Sequence, residues 1–276
     1  MKIKKALMGI LVGVLSLGLV ACSSSDNSGS GDSKKAANQL EQIQEKGKLV
    51  IGTSADYPPY EFHTVIDGKD TIVGFDVNIA EEIAKEIGVE LEIKDMKFDG
   101  LLAALQGGTV DMVVAGMSPT EERKQAVNFT DTYYNGKNSV LINKANLEKY
   151  TKVEDLKDLK IGAQKSSIQE SFAVDVIGAT NIKSLSKISD VILELKNGNV
   201  DAVVVSEQAV TGYLKQYPEL VYANIDLGED TSEGSAIAVK KSDDNSLIEA
   251  SNKVLSSLKS ANKIQEFVDK ATELAQ

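Results

Sequence analysis

Arg123 is the only arginine in a chain of 276 residues with 30 basic side chains. It closes the run Gly116, Met117, Ser118, Pro119, Thr120, Glu121, Glu122, in which Pro119 can open a short helix and two acids occupy its first turn, as helix starts prefer. A lone guanidinium one turn into a helix suits a bidentate grip on a carboxylate. Gly116 lets backbone approach a ligand, and Ser118 offers a hydroxyl and an amide. A surface ion pair from Arg123 to Glu121 or Asp131 explains the same residues equally well. Scarcity narrows the other chemistries. His63 is the one histidine and Cys22 the one cysteine, so His-cluster and Cys-based metal sites are excluded and any Ser-His-Asp nucleophile would have to use His63. His63 itself reads as a loop surface residue. No cofactor is expected, and a net charge of −11 repels nucleic acid.

The elements that must position Arg123 follow from periodicity. From residue 36 onward strands and helices alternate, which predicts an α/β fold with largely parallel sheets. Residues 49–54 read as a first strand. Phe75, Ile79, Ile83 and Ile87 recur at fourfold spacing and Gly88 follows, which predicts an amphipathic helix over 75–87. Residues 91–93 continue as a strand, 101–105 as a helix and 110–115 as a buried strand that leads into Gly116. An internal repeat supports this layout. Leu105, Gly108, Val110, Asp111, Val113 and Val114 return ninety positions later as Leu195, Gly198, Val200, Asp201, Val203 and Val204. Each copy is a helix end, a glycine turn and a buried strand, and the spacing suggests two lobes of related topology with ligands beyond the strand ends.

The amino terminus addresses the chain. Lys2, Lys4 and Lys5 precede an apolar run over 6–20 that is too short to span a bilayer stably. Leu19-Val20-Ala21-Cys22 then resembles the lipobox of bacterial lipoproteins, which implies a signal peptide over 1–21 and a Cys22 acylated as the new amino terminus. Residues 22–35 are dominated by Ser, Gly and Asp and read as a flexible tether. The expected product is an extracytoplasmic body, lipid-anchored to the cell membrane.

Four motifs in order, over 52–62, 74–76, 116–123 and 162–170, resemble the successive signatures of polar amino acid-binding proteins of ABC importers. The resemblance covers residues 40–275. It implies a type II periplasmic-binding-protein fold, two α/β lobes joined by two crossover strands: lobe 1 over 36–134 plus 233–276 and lobe 2 over 135–232. It further implies a monomeric, non-enzymatic receptor that closes on a free amino acid and presents it to an ABC permease and its ATPase.

Residue roles transfer by position. The resemblance places the ligand α-carboxylate on Arg123 and Ser118, and the α-ammonium on the Gly116 carbonyl and the Ser118 hydroxyl, with Met117 in the same run. From lobe 2 it places Ser166, Ser167 and Ile168 as backbone amides at a helix start, with Gln164 before them and Gln169 facing the ligand. Ser167 doubles as an N-cap whose capping-box partner is Glu170. Tyr57 and Phe98 match two stacking positions. Two departures stand out: relatives often carry an acid where this chain has Ser54, and most carry Asp or Glu where it has Ser206. A buried ammonium left unpaired costs several kcal/mol, so Glu207, Asp56 or Glu61 must compensate, or the ligand is a modified amino acid or small peptide. Glu61 otherwise reads as structural. The rival from another class is a dehydratase-like enzyme on the same fold, with Glu61 or Glu207 as acid or base.

Overall fold

The computed structural model describes residues 38–227 and 234–275. The expected signal, lipobox and tether therefore lie outside the described residues. Helix α1 (Gln39–Lys46) opens on an Asn38 capping box completed by Glu41 and stops at Gly47, whose left-handed backbone turns the chain into strand β1 (Lys48–Thr53). A small antiparallel sheet follows, made of β2 (Asp56–Tyr57), β3 (Glu61–Ile66) and β4 (Lys69–Val73). Helix α2 (Phe75–Ile87) buries the predicted stripe Phe75, Ile79, Ile83 and Ile87. Then come β5 (Glu90–Asp95), α3 (Leu101–Gln106), β6 (Met112–Val113), α4 (Glu121–Ala126) and β7 (Val127–Phe129).

The second run comprises β8 (Asn138–Asn143), β9 (Lys160–Gln164), α5 (Ile168–Asp175), β10 (Asn181–Leu185), α6 (Ile188–Lys196), β11 (Ala202–Ser206), α7 (Thr211–Gln216) and β12 (Leu220–Tyr222). The chain then returns through β13 (Ala238–Lys240) and ends in α8 (Ser246–Ser260) and α9 (Lys263–Leu274).

Two five-stranded sheets organise two lobes, ordered β5-β1-β6-β13-β7 and β10-β9-β11-β8-β12. Each is parallel over its first three strands, but β13 and β8, the strands that enter from the other lobe, run antiparallel. The sheets are therefore mixed rather than largely parallel, because a strand arriving across the molecule enters from the opposite end. Between the sheets Tyr134 and Ser235 form an isolated antiparallel bridge. Residues 228–233, where one expected lobe boundary falls, lie outside the described residues.

The internal repeat is visible bond by bond. Ile51 and Gly52 pair in parallel with Met112 and Val113, and Ile161 and Gly162 pair likewise with Ala202 and Val203. Asp111 donates its amide to the Val50 carbonyl at 2.7 Å and accepts the Val50 amide on its carboxylate at 2.8 Å; Asp201 does the same with Lys160 at 2.8 and 2.9 Å. The repeated aspartates thus staple the third strand of each sheet to its second, β6 to β1 and β11 to β9. Gly108 and Gly198 hold left-handed backbone at φ 70° and 71°, where a side chain would be strained. Apolar cores flank each sheet on both faces, as buried parallel strands require.

Candidate functional site

Two loops beyond the carboxyl ends of the lobe 1 strands and one helix start in lobe 2 meet in a narrow cavity of about 30 Å³. Helix α4 sets the first loop. Thr120, rather than Pro119, caps it by accepting the Arg123 amide at 3.3 Å. The guanidinium then turns into the cavity, donating from Nη1 to the Ser118 carbonyl at 2.8 Å and from Nη2 to the Ser166 carbonyl of lobe 2 at 2.7 Å. It lies 5.6 Å over the Phe98 ring. Burial pulls its pKa down to about 10, which leaves it charged at neutral pH. Glu121, the alternative partner, pairs with Lys124 at 3.0 Å.

Gly116 and Ser118 line the same cavity. Gly116 sits at φ 55°, and a Cβ there would lie 3.1 Å from the Tyr60 ring. Its amide donates to Asp76 Oδ2 at 2.7 Å. Tyr57 lines the cavity from β2 and packs on Tyr60 with ring centroids 5.1 Å apart; Phe98 covers the cavity from the turn before α3. Ser54 also lines it, with its hydroxyl donating to Asp56 at 3.2 Å.

Lobe 2 contributes Gln164, Ser167, Ile168 and Gln169. Ser167 caps α5 by accepting the Glu170 amide at 3.2 Å, and its hydroxyl donates to the Gln164 carbonyl at 2.7 Å. The expected capping box is only half formed, because the Glu170 carboxylate accepts the Ser166 amide at 2.7 Å instead. Ile168 and Gln169 open the helix, where backbone amides have no intrahelical acceptor.

Five expected residues lie elsewhere. Met117 is 1% exposed and packs in the lobe 1 core, because the strand's alternation turns its side chain away from Gly116 and Ser118. Ser166 presents its carbonyl to Arg123, and its amide is taken by Glu170. Asp56 reaches across to lobe 2, where its carboxylate accepts the Ser189 amide at 3.2 Å at the start of α6. Ser206 donates to Gln208 at 3.0 Å, and Glu207 pairs with Lys137 at 3.4 Å before the short helical turn Gln208–Val210, so neither lines the cavity. His63 lies on β3 between Asp70 and Asp95, at 2.9 and 3.3 Å.

The residue that sequence reasoning set aside as structural is Glu61. It lines the cavity at 1% exposure, and both carboxylate oxygens find no donor among the described residues. Behind it, on the second residue of α2, Asp76 accepts the Gly116 amide and the Tyr133 hydroxyl, each at 2.7 Å, on Oδ2, while its Oδ1 has no donor. Burial pushes the Glu61 pKa well above the usual carboxylate range, and the nearby Asp76 adds to this. Burial also raises Asp76, to about 6, against the lowering effect of its two donors. The available signal was its place two residues after Pro59, on a strand that pairs with the Tyr57 segment and so must face the same side. Among the described residues, no group of three or more His, Cys, Asp or Glu is arranged to hold a metal ion, and no helix is long and apolar enough to cross a membrane.

The sequence profile of bacterial extracellular solute-binding proteins, family 3, matches residues 49–273. The arginine-binding extracellular protein ArtP of Bacillus subtilis is 36% identical over 272 residues, which cover 97% of each chain. A probable histidine-binding protein of Campylobacter jejuni is 36% identical over 252 residues, 91% of each chain. Among solved structures, the amino acid ABC transporter substrate-binding protein AbpA of Streptococcus pneumoniae, bound to L-arginine, superposes with a TM-score of 0.81 at 39% identity, covering 85% of this chain and 98% of its own.

Proposed function

We propose, from the premise that this chain belongs to the family 3 bacterial extracellular solute-binding proteins, that it is the receptor of an ABC importer for a basic amino acid, arginine first. The buried Glu61 carboxylate carries this reading: a cavity with one arginine on one wall and one donor-less glutamate on another is complementary to a ligand with a carboxylate and a remote cation. Arg123 and Ser118 take the α-carboxylate, the Gly116 carbonyl and Ser118 hydroxyl take the α-ammonium, and Tyr57 and Phe98 flank the side chain that ends on Glu61. Among the described residues Glu61 is the one acid that lines the cavity, so the α-ammonium rests on neutral oxygens alone. Donors from lobe 2 reach the ligand only when the lobes are together, so the ligand favours the closed form. The chain acts without catalysis and as a monomer, held at the outer membrane face by lipid on Cys22, and its two lobes present the loaded state to the permease.

Titration calorimetry with three probes tests the assignment of both charges. Arginine should bind, citrulline, which keeps its shape without the charge, should bind at least about thirtyfold more weakly, and agmatine, which lacks the carboxylate, should not bind measurably; each lost charge pair costs about 2–5 kcal/mol. Citrulline binding as well as arginine would remove Glu61 from the side-chain site. Slow conversion of bound arginine into another compound would favour the enzymatic rival.

A further inference from the structure

Glu61 and Asp76 are neighbouring buried carboxyl groups, brought together where the Asp76 amide donates to the Tyr60 carbonyl at 3.0 Å; each is 1% exposed, and three of their four oxygens have no donor among the described residues. Two such groups cannot both ionise in a water-poor cavity, since each charge raises the cost of the other. Asp76 has the better claim to the charge, because Oδ2 receives the Gly116 amide and the Tyr133 hydroxyl. Glu61 has no donor of its own and opens onto the ligand cavity. We infer that Glu61 and Asp76 hold one proton between them in the ligand-free protein, and that a basic side chain entering the cavity displaces that proton to solvent.

This deepens the reading of the site as a receptor for a basic amino acid and rests on it. The surroundings favour the exchange. The groups that bear on the pair are Asp56 from β2, Asp95 from the end of β5 and the hydroxyls of Tyr57, Tyr60 and Tyr133; the Arg123 guanidinium lines the same cavity. The acids and the burial favour a bound proton over an empty ionised pair, and the Gly116 amide and Tyr133 hydroxyl on Asp76 oppose them. A guanidinium delivers one positive charge and several donors to oxygens that lack them, so the proton becomes redundant when it arrives. Binding is then a one-for-one exchange of cations, and the net charge buried with Glu61 and Asp76 is the same before and after. The device also sets specificity. A neutral side chain leaves the proton in place and gains no charge pair, whereas histidine, which titrates near neutral pH, exchanges only in its protonated form.

The sign follows from the exchange. Protons compete with the ligand, so arginine affinity rises with pH, by up to about tenfold per pH unit while one proton is released, and levels off once the ligand-free pair is ionised.

The test is titration of the full mature chain with arginine at neutral pH in buffers of different ionisation enthalpy, which counts protons. Release of close to one proton per arginine is expected, and Glu61→Gln should release none while binding arginine more weakly. Glu207→Gln, whose carboxylate pairs with Lys137 outside the cavity, should release as many as the wild type. Tight arginine binding with no proton release overturns the exchange and leaves the receptor reading standing. Failure of arginine to bind overturns the receptor reading. The proton itself is then judged without ligand, by infrared spectroscopy at neutral pH: the C=O stretch of a protonated buried carboxyl should be present in the wild type and lost in Glu61→Gln, and its absence from the wild type overturns the proposal.

Discussion

The two lobes share one sheet plan and differ in what their loops carry. In lobe 2 the connection from β9 to α5 is Lys165-Ser166-Ser167, just long enough to cap a helix and aim its first amides. In lobe 1 the matching connection, from β1 to α2, runs over 54–74 and folds into the β2–β4 sheet that brings Tyr57 and Glu61 to the cavity. The connection after the third strand differs as well. After β6 it carries Gly116, Ser118 and Arg123; β11 ends on Ser206 and is followed by Glu207, and these turn to Gln208 and Lys137. Both charged side chains in the cavity therefore come from lobe 1, and lobe 2 supplies only polar groups and a helix start. The scaffold fixes where a ligand sits, and loop length decides which lobe reads its charge. A ligand would dock first on lobe 1, and lobe 2 would complete the cage.

Breaking the lobe 1 side should cost most. Arg123→Ala should weaken arginine binding at least thirtyfold, from about 2–5 kcal/mol for a desolvated charge pair, with the ligand-free thermal transition nearly unmoved. Calorimetry and thermal unfolding check it, and a change below about threefold would return Arg123 to a structural role. On the lobe 2 side, Ser167→Ala removes the α5 cap and should lower the thermal stability of ligand-free protein by about 1 kcal/mol, with a loss of affinity well short of that for Arg123→Ala. Equal losses would mean that the lobes share the recognition evenly.

How far these contrasts are legible before folding depends on whether the signal is local. The repeat and the 75–87 helix are local patterns and reappear at their expected places; the strand–glycine–helix run to Arg123 also reappears, with the strand shortened from 110–115 to Met112–Val113 and the helix starting after Thr120 rather than at Pro119. Arg123, Tyr57 and Phe98 meet in one cavity because each sits on a short connection from a buried strand. The place of Glu61 at the cavity is not legible in this way, because it depends on β3 folding back onto β2, a pairing that a lone acid amid apolar residues does not announce. Met117 lies in the core because a run of neighbours on one motif alternates its side chains between cavity and core. Ser206 and Glu207 do not line the cavity, because lobe 2 ends its third strand on a different turn.

The repeated staples offer a sharper comparison. Asp111→Asn and Asp201→Asn should each lower unfolding stability by about 1–2 kcal/mol, by weakening the charge-assisted bond to β1 and to β9, and both should leave arginine affinity unchanged. Unequal effects would mean that the two copies have diverged in what holds them. The smallest effect is expected from the ion pair between Lys165 of lobe 2 and Asp99 of lobe 1, 2.9 Å apart at the cleft edge. Lys165→Ala should speed ligand release by no more than about threefold, and the difference should vanish in high salt, because exposed pairs contribute little. Stopped-flow release measurements decide it.

On the proposed reading one cavity takes up two charges from one lobe, and a crystal structure of the arginine complex decides it. The ligand carboxylate should lie on the Arg123 guanidinium and the ligand guanidinium on Glu61, with Asp76 behind it and the lobes closed. A ligand carboxylate away from Arg123, or the α-ammonium on Glu61 with the guanidinium elsewhere, would contradict it.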